Sequence, residues 1–176
     1  MYEIEAKVRL KRSDVKRLKG ELPKIATKKG NVIKKDFYFF AHPKKEFFLR
    51  IREKNGKPFL NMKSKKVGQG IEMNQEIKLP LTSSSKFHNL LKKIGIPLTA
   101  KKEKIGEIFK KGDMQIELNF VKGLGYFLEI ETIVKSKSEI PKAKKALRDL
   151  FKKLGFKPND FEKKYYLELL SQLKTR

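Results

Sequence analysis

Residues 1–10 read MYEIEAKVRL. Ile4, Ala6, Val8 and Leu10 alternate with Glu3, Glu5, Lys7 and Arg9. A period of two is that of a β-strand with two unlike faces. One face is apolar; the other carries two carboxylates and then two cations. Paired carboxylates can hold Mg²⁺ or Mn²⁺, and cations beside them can hold phosphate oxygens.

The same design recurs along the chain. Arg50, Arg52 and Lys54 share one face of the segment 49–54, as do Lys63 and Lys65 after Met62. Glu76 and Lys78 point the same way, and Lys102 and Lys104 lie opposite Glu103 and Ile105. Gln115, Glu117 and Asn119 alternate with Ile116, Leu118 and Phe120; Glu129 and Glu131 alternate with Leu128 and Ile130. A half-buried sheet with its polar face in water explains any one of these strands. It does not explain the set, in which carboxylate pairs at 3/5 and 129/131 accompany cationic pairs at 50/52, 63/65 and 102/104. If the charged faces point into a closed barrel, opposite charges line one tunnel, an arrangement costly for structure alone. A cavity for metal ions and a highly charged anion accounts for it.

Eight strand-like segments fall at 2–10, 35–41, 47–55, 58–65, 71–79, 102–110, 113–121 and 126–134. Asn55-Gly56, Gly112-Asp113 and the Lys122–Gly125 stretch read as tight turns between them. Helix patterns occupy Ser13 to Leu22, Ser83 to Ile94, Pro141 to Leu154 and 161–173. LLKKIGIP at 90–97 and LFKKLGFKP at 150–158 form a faint repeat of helix end, glycine turn and proline. Too few helices cross between strands for a parallel sheet. The fold class is therefore mainly β with flanking helices (α+β), an eight-stranded antiparallel closed barrel whose closure removes exposed edges.

The 176 residues, 39% hydrophobic, suffice for one domain, 1–176. The net charge of +24, from 44 Lys+Arg against 20 Asp+Glu, calls for an anionic partner. Without cysteine there are neither disulfides nor thiolate metal sites. No run is long enough to span a membrane, and the charged N-terminus is unlike a signal peptide, so a cytoplasmic protein with no membrane partner is expected.

The motifs resemble those of the CYTH superfamily, which includes class IV adenylyl cyclases and thiamine and inorganic triphosphatases. The residues are Glu3-Ile4-Glu5-Ala6-Lys7 for E-x-E-x-K, Asp36-Phe37-Tyr38-Phe39 for D-x-Y-F, Leu49-Arg50-Ile51-Arg52 for L-R-I-R, and Leu124-Gly125-Tyr126-Phe127-Leu128-Glu129-Ile130-Glu131 for L-G-x-F-x-E-I-E. Four motifs in order, from residue 2 to about 170, make the resemblance specific. Two positions depart from it: Asn119 stands where the family commonly has Asp, and Lys102-Glu103-Lys104 where it has K-x-R.

The resemblance implies an eight-stranded tunnel that holds a nucleoside or inorganic triphosphate with Mg²⁺ or Mn²⁺. Lys7, Arg50, Arg52, Lys63, Lys65, Lys102 and Lys104 are the expected phosphate-binding residues. Glu3, Glu5, Glu76, Glu117, Glu129 and Glu131 are the expected metal ligands, and Glu3, Glu5, Lys7, Arg50 and Arg52 the expected catalytic set. ATP cyclisation leads, partly because DFYFFAHP resembles the cyclase branch through His42-Pro43; a triphosphatase is the alternative, and a non-catalytic polyphosphate or nucleic-acid binder a third. Paired glutamates would repel a nucleic-acid backbone, so no specific nucleic-acid partner is expected. Outward apolar strand faces or the last helix are where a homodimer would form.

Tyr38, Phe39, Phe47 and Phe48 read as core or tunnel-mouth packing. His88 reads as structural or exposed, His42 as a loop residue. Tyr165 and Tyr166 are expected to pack the last helix onto the barrel.

Overall fold

A computed structural model describes residues 1–41, 47–68 and 70–174; of residues 40, 41, 47, 48, 63–67 and 174 the backbone alone is described. Strands β1 (Tyr2–Leu10), β2 (Thr27–Ala41), β3 (Phe47–Lys54), β4 (Lys57–Gly68), β5 (Ile71–Pro80), β6 (Ala100–Lys111), β7 (Met114–Val121) and β8 (Gly125–Val134) form one closed barrel. Its order is β1-β5-β4-β3-β2-β6-β7-β8, and every pairing is antiparallel. Closure rests on β1, which pairs β5 through Glu5↔Glu72 and β8 through Glu5↔Glu131. The expected barrel and its charged-inward orientation are both observed.

The expected strand boundaries hold to within three residues except at the start of β2, which begins at Thr27 and not at residue 35. The early part of β2 pairs β6 from Thr27↔Lys110 through Lys34↔Lys104. It reads poorly as a strand because Lys28, Lys29 and Gly30 carry no alternation, and the ladder bulges between Lys28 and Gly30.

Helix α1 (Arg12–Ile25) and α3 (Ile140–Lys153) lie on the barrel's outer surface. Leu18 and Leu22 of α1 and Leu147, Leu150 and Phe151 of α3 share one core with Ile4, Val8, Ile116, Leu128 and Ile130 from the outward strand faces. The barrel is thus inverted: its apolar core lies outside, under helices, and its charges lie within. Helix α2 (Ser84–Lys93) starts at Ser83, whose hydroxyl accepts from the Lys86 amide, and covers Phe39 and Ile51 with Leu91.

The faint repeat is a real structural device. At the end of α2 Gly95 (φ 79°) follows Ile94, and Ile96 N–H donates to Leu91 C=O at 2.8 Å. At the end of α3 Gly155 (φ 84°) follows Leu154, and Phe156 N–H donates to Phe151 C=O at 2.9 Å. Both are glycine-closed helix ends that turn the chain with positive φ.

The last helix, α4 (Tyr166–Lys174), begins at 166, not 161. A short 3-10 turn over Pro158–Asp160 leads to Phe161, which bridges to Val8, so the chain runs over the barrel end before the helix forms. Tyr166 and Leu169 then cover that end together with Val121, Leu124 and Phe127.

Candidate active site

Alternation aims Glu3, Glu5 and Lys7 of β1 into the barrel, and the same parity on the other strands brings the remaining charges to meet them. A central chamber of about 60 Å³ is lined by Lys7, Lys34, Arg50, Arg52, Lys102 and Lys104 and by Glu3, Glu5, Glu72, Glu129 and Glu131. It shares Glu3, Lys34, Arg52 and Glu131 with a wider mouth of about 310 Å³ that Lys54, Phe59, Lys78 and Gln115 also line.

The cations form three groups, each ordered by a buried carboxylate. Asp36 is the first hub. Arg52 reaches it through Nε at 2.6 Å and Nη2 at 2.9 Å, Lys102 at 2.8 Å and Arg50 at 3.6 Å. Burial opposes ionisation of Asp36, but Arg52, Lys102 and Arg50 outweigh it and hold its pKa well below the usual carboxylate range. The fork-like Arg52 contact fixes the guanidinium plane before any ligand arrives. Arg50 also donates through Nε to Asn61 Oδ1 at 2.7 Å.

Glu117 is the second hub. It accepts from Lys34 at 2.5 Å and pairs with Lys104 at 2.9 Å, which also reaches Glu129 at 2.6 Å. Despite this partner, Lys34 has its pKa lowered to about 8, because burial and the charges of Lys104 and Arg52 outweigh Glu117. Third, Lys7 pairs with Glu72, and its ammonium lies 5.3 Å from the centroids of both Tyr165 and Tyr166. Burial disfavours the Lys7 charge, yet Glu72, Glu5 and Glu129 together raise its pKa.

Tyr166 does more than pack. Its hydroxyl donates to Glu129 at 2.5 Å, and Lys102 sits 4.7 Å from its ring centroid. Burial and Glu129 push the phenol pKa well above its usual value, so the hydroxyl stays a donor.

Carboxylate oxygens of Glu3, Glu5 and Glu131 lie within 4.8 Å of one another. Burial, then Glu3, Glu5 and Glu117, push the Glu131 pKa up to about 7. Three hard oxygen donors that repel one another fit Mg²⁺ or Mn²⁺, whose charge would relieve that repulsion. The other three expected ligands lie outside this cluster. Glu76 accepts from Asn61 and pairs with Lys78 at 2.5 Å, while Glu117 and Glu129 are held by lysines. Adjacent cations satisfy these carboxylates, which fit them for orienting lysines.

Asn119 is fully buried and faces carboxylates. Its amide Nδ2 donates to Glu117 at 3.2 Å and Glu129 at 3.1 Å. An Asp here would set a third negative charge between them. The Asn carbonyl points at Gly106, where a Cβ would come within 2.2 Å of it.

The side chains of Lys63, Lys65, Phe47 and Phe48, and residues His42-Pro43, lie outside those described. His88 stacks edge-on to Phe39 at 5.1 Å on the barrel exterior, a structural contact. Sequence reading missed Lys34, Glu72 and the central place of Asp36. Lys34 was legible in principle, since Lys34, Asp36 and Tyr38 keep one parity. Glu72 keeps parity with Asn74 and Glu76 in the same way.

The CYTH domain model matches residues 1–166. The chain belongs to the CYTH family. It is 30% identical, over 96% of its length and 98% of the relative's, to a Methanocaldococcus jannaschii protein named as a candidate adenylate cyclase, MJ0240. Among solved structures it resembles the Pyrococcus horikoshii protein PH1819 (31% identity, TM-score 0.81, 99% of both chains). It also resembles PH1012 of the same organism (30% identity, TM-score 0.81, 95% of this chain and 98% of that one). CYTH membership and the geometry agree on a tunnel built to receive a triphosphate, with an acidic cluster suited to a divalent ion.

Proposed function

We propose that this CYTH tunnel is a class IV adenylyl cyclase-like enzyme that converts ATP to cyclic AMP and pyrophosphate. The observation that carries the triphosphate reading is the enclosure of six cations with a three-carboxylate cluster inside one barrel. The name of the M. jannaschii relative supports the cyclase assignment. Arg50, Arg52, Lys7, Lys102 and Lys104, with Lys63 and Lys65, would bind phosphate oxygens, the two arginines through two-pronged contacts. Glu3, Glu5 and Glu131 would hold the divalent ion, which supplies charge neutralisation and polarisation of a phosphate.

The tunnel residues do the rest by position. Asp36 and Glu117 fix the cations in advance, so little reorganisation accompanies binding. Water is displaced from a chamber with buried walls, which strengthens every remaining electrostatic contact. In the cyclase reaction the ribose 3′-oxygen bonds to the α-phosphorus as the bond to the pyrophosphate oxygen breaks. The same clamp with water attacking the terminal phosphorus gives a triphosphatase, the second reading.

The deciding experiment incubates the protein with ATP or tripolyphosphate and Mg²⁺ or Mn²⁺ and resolves the products. Cyclic AMP with pyrophosphate, lost in Glu3→Gln/Glu5→Gln, is the expected result. Orthophosphate without cyclic product would replace cyclase by triphosphatase, and no turnover of either substrate would leave neither.

A further inference from the structure

The net charge of +24 is not spent in the tunnel. Among the described residues, six cations line the chamber, while the five lining carboxylates are joined by Asp36 and Glu117, which pair with those cations. Among the described residues the chamber therefore carries no positive surplus, and much of the excess lies on the exterior. α1 and α3, which share one core over the barrel, carry a large share of it. Arg17 of α1 stacks 5.6 Å from the ring centroid of Phe156, just past α3, which places α1 beside the C-terminal end of α3.

Their outer face is one-sided in charge. Lys11, Arg12, Lys16, Lys19 and Lys24 are exposed on or beside α1, and Lys142, Lys145, Lys152, Lys153 and Lys157 on or beside α3. Against these ten cations stand five carboxylates on or beside the two helices: Asp14 and Glu21, which face Arg17 at 3.7 and 2.8 Å, and Glu139, Asp149 and Asp160. Beyond the end of α1 the basic surface continues into a groove lined by Lys24, Lys28, Lys110 and Lys111.

We propose that the α1–α3 face is a second anion site, which binds the phosphate backbone of duplex nucleic acid without reading its bases. Clustered lysines on a rigid helical face suit a backbone of closely spaced phosphates. No aromatic or large aliphatic side chain of α1 or α3 is exposed. That excludes a stacking platform for single strands and an apolar wedge for a membrane. The carboxylate pairs that argue against a nucleic-acid backbone are all inside the barrel, away from this face.

The test is fluorescence anisotropy of the full chain with a labelled duplex of roughly 20 base pairs, repeated across salt concentrations. The comparison is the quadruple variant Lys16→Glu/Lys19→Glu/Lys145→Glu/Lys152→Glu, in which every altered residue is exposed. Wild type is expected to bind with a steep salt dependence. The variant is expected to bind at least about tenfold more weakly, with a log–log salt slope shallower by about four. Its circular-dichroism spectrum and cooperative thermal unfolding should match wild type, which shows that the fold persists. Absence of duplex binding by wild type, equal binding by the variant, or binding to phosphatidylserine vesicles in place of the duplex would each overturn the proposal. The readout does not involve the tunnel, so it stands or falls separately from the enzymatic reading.

Discussion

At the scale of the residue, small choices decide what the tunnel can hold. Gly106 sits inward on β6 because its missing side chain makes room for Asn119. A Cβ there would meet Asn119 Oδ1 at 2.2 Å and the Leu118 carbonyl at 2.4 Å. The second contact is backbone and cannot swing aside. Gly106→Ala should therefore lower unfolding free energy by about 1–3 kcal/mol in urea denaturation. An unchanged midpoint would show that β6 can shift.

Glu131 gives a pH dependence with a definite sign. Its folded pKa, about 7, lies above the ordinary 4.5. The native metal-free protein therefore holds a proton between those values that the unfolded chain has lost. Its contribution to stability is complete below about pH 4.5 and is lost as pH rises to about 7. A divalent ion competes with the same proton. Calorimetric Mn²⁺ affinity should rise by up to about tenfold per unit toward pH 7 and level off above it. In Glu131→Gln that slope should vanish; a persisting slope would assign the proton to Glu3 or Glu5.

At the scale of the element, the helices exist to cover the outward strand faces. α3 is amphipathic, with Ala143, Leu147, Leu150 and Phe151 buried and lysines outward. Leu147 has no exposed surface and shares a core with residues of β1, β7 and β8. Leu147→Ala should cost about 2–5 kcal/mol. It should do so without altering tripolyphosphate affinity in whatever fraction remains folded, because no α3 side chain enters the chamber. A loss of affinity in the folded fraction would show that the outer core sets the tunnel's width. The two glycine-closed helix ends, at Gly95 and Gly155, were legible as a sequence repeat. The start of β2 was not, because lysines and a bulge erase the alternation there.

At the scale of the whole molecule, the protein keeps two electrostatic regimes apart. Among the described residues, cations and carboxylates nearly balance inside, while positive charge dominates outside. The interior balance predicts thermodynamic coupling between the two expected ligands. A triphosphate entering without metal meets Glu3, Glu5 and Glu131 as well as the cations. Tripolyphosphate and Mg²⁺ together should therefore raise the melting temperature by more than the sum of their separate shifts. A strictly additive result would mean that the acidic cluster and the anion site act independently.

The chain's period-two alternation by itself determined the strands and which charges share a face, and the scarcity of crossover helices determined the antiparallel class. Parity along a strand is a local property, so spacing put Glu3, Glu5 and Lys7, Arg50 and Arg52, and Lys102 and Lys104 each on one face, and the family resemblance placed those faces in a tunnel. Tertiary structure decided which charges meet. Glu5 stands beside both Glu72 and Glu131 because β1 closes the barrel between β5 and β8. Register across that closure gathers Glu3, Glu5 and Glu131 into a cluster, gives Glu76, Glu117 and Glu129 cationic partners, and brings Lys34 beside Glu117, 83 residues away. A residue's face is set by its immediate neighbours, but its partner is set by strand order and shear, which only the assembled barrel fixes.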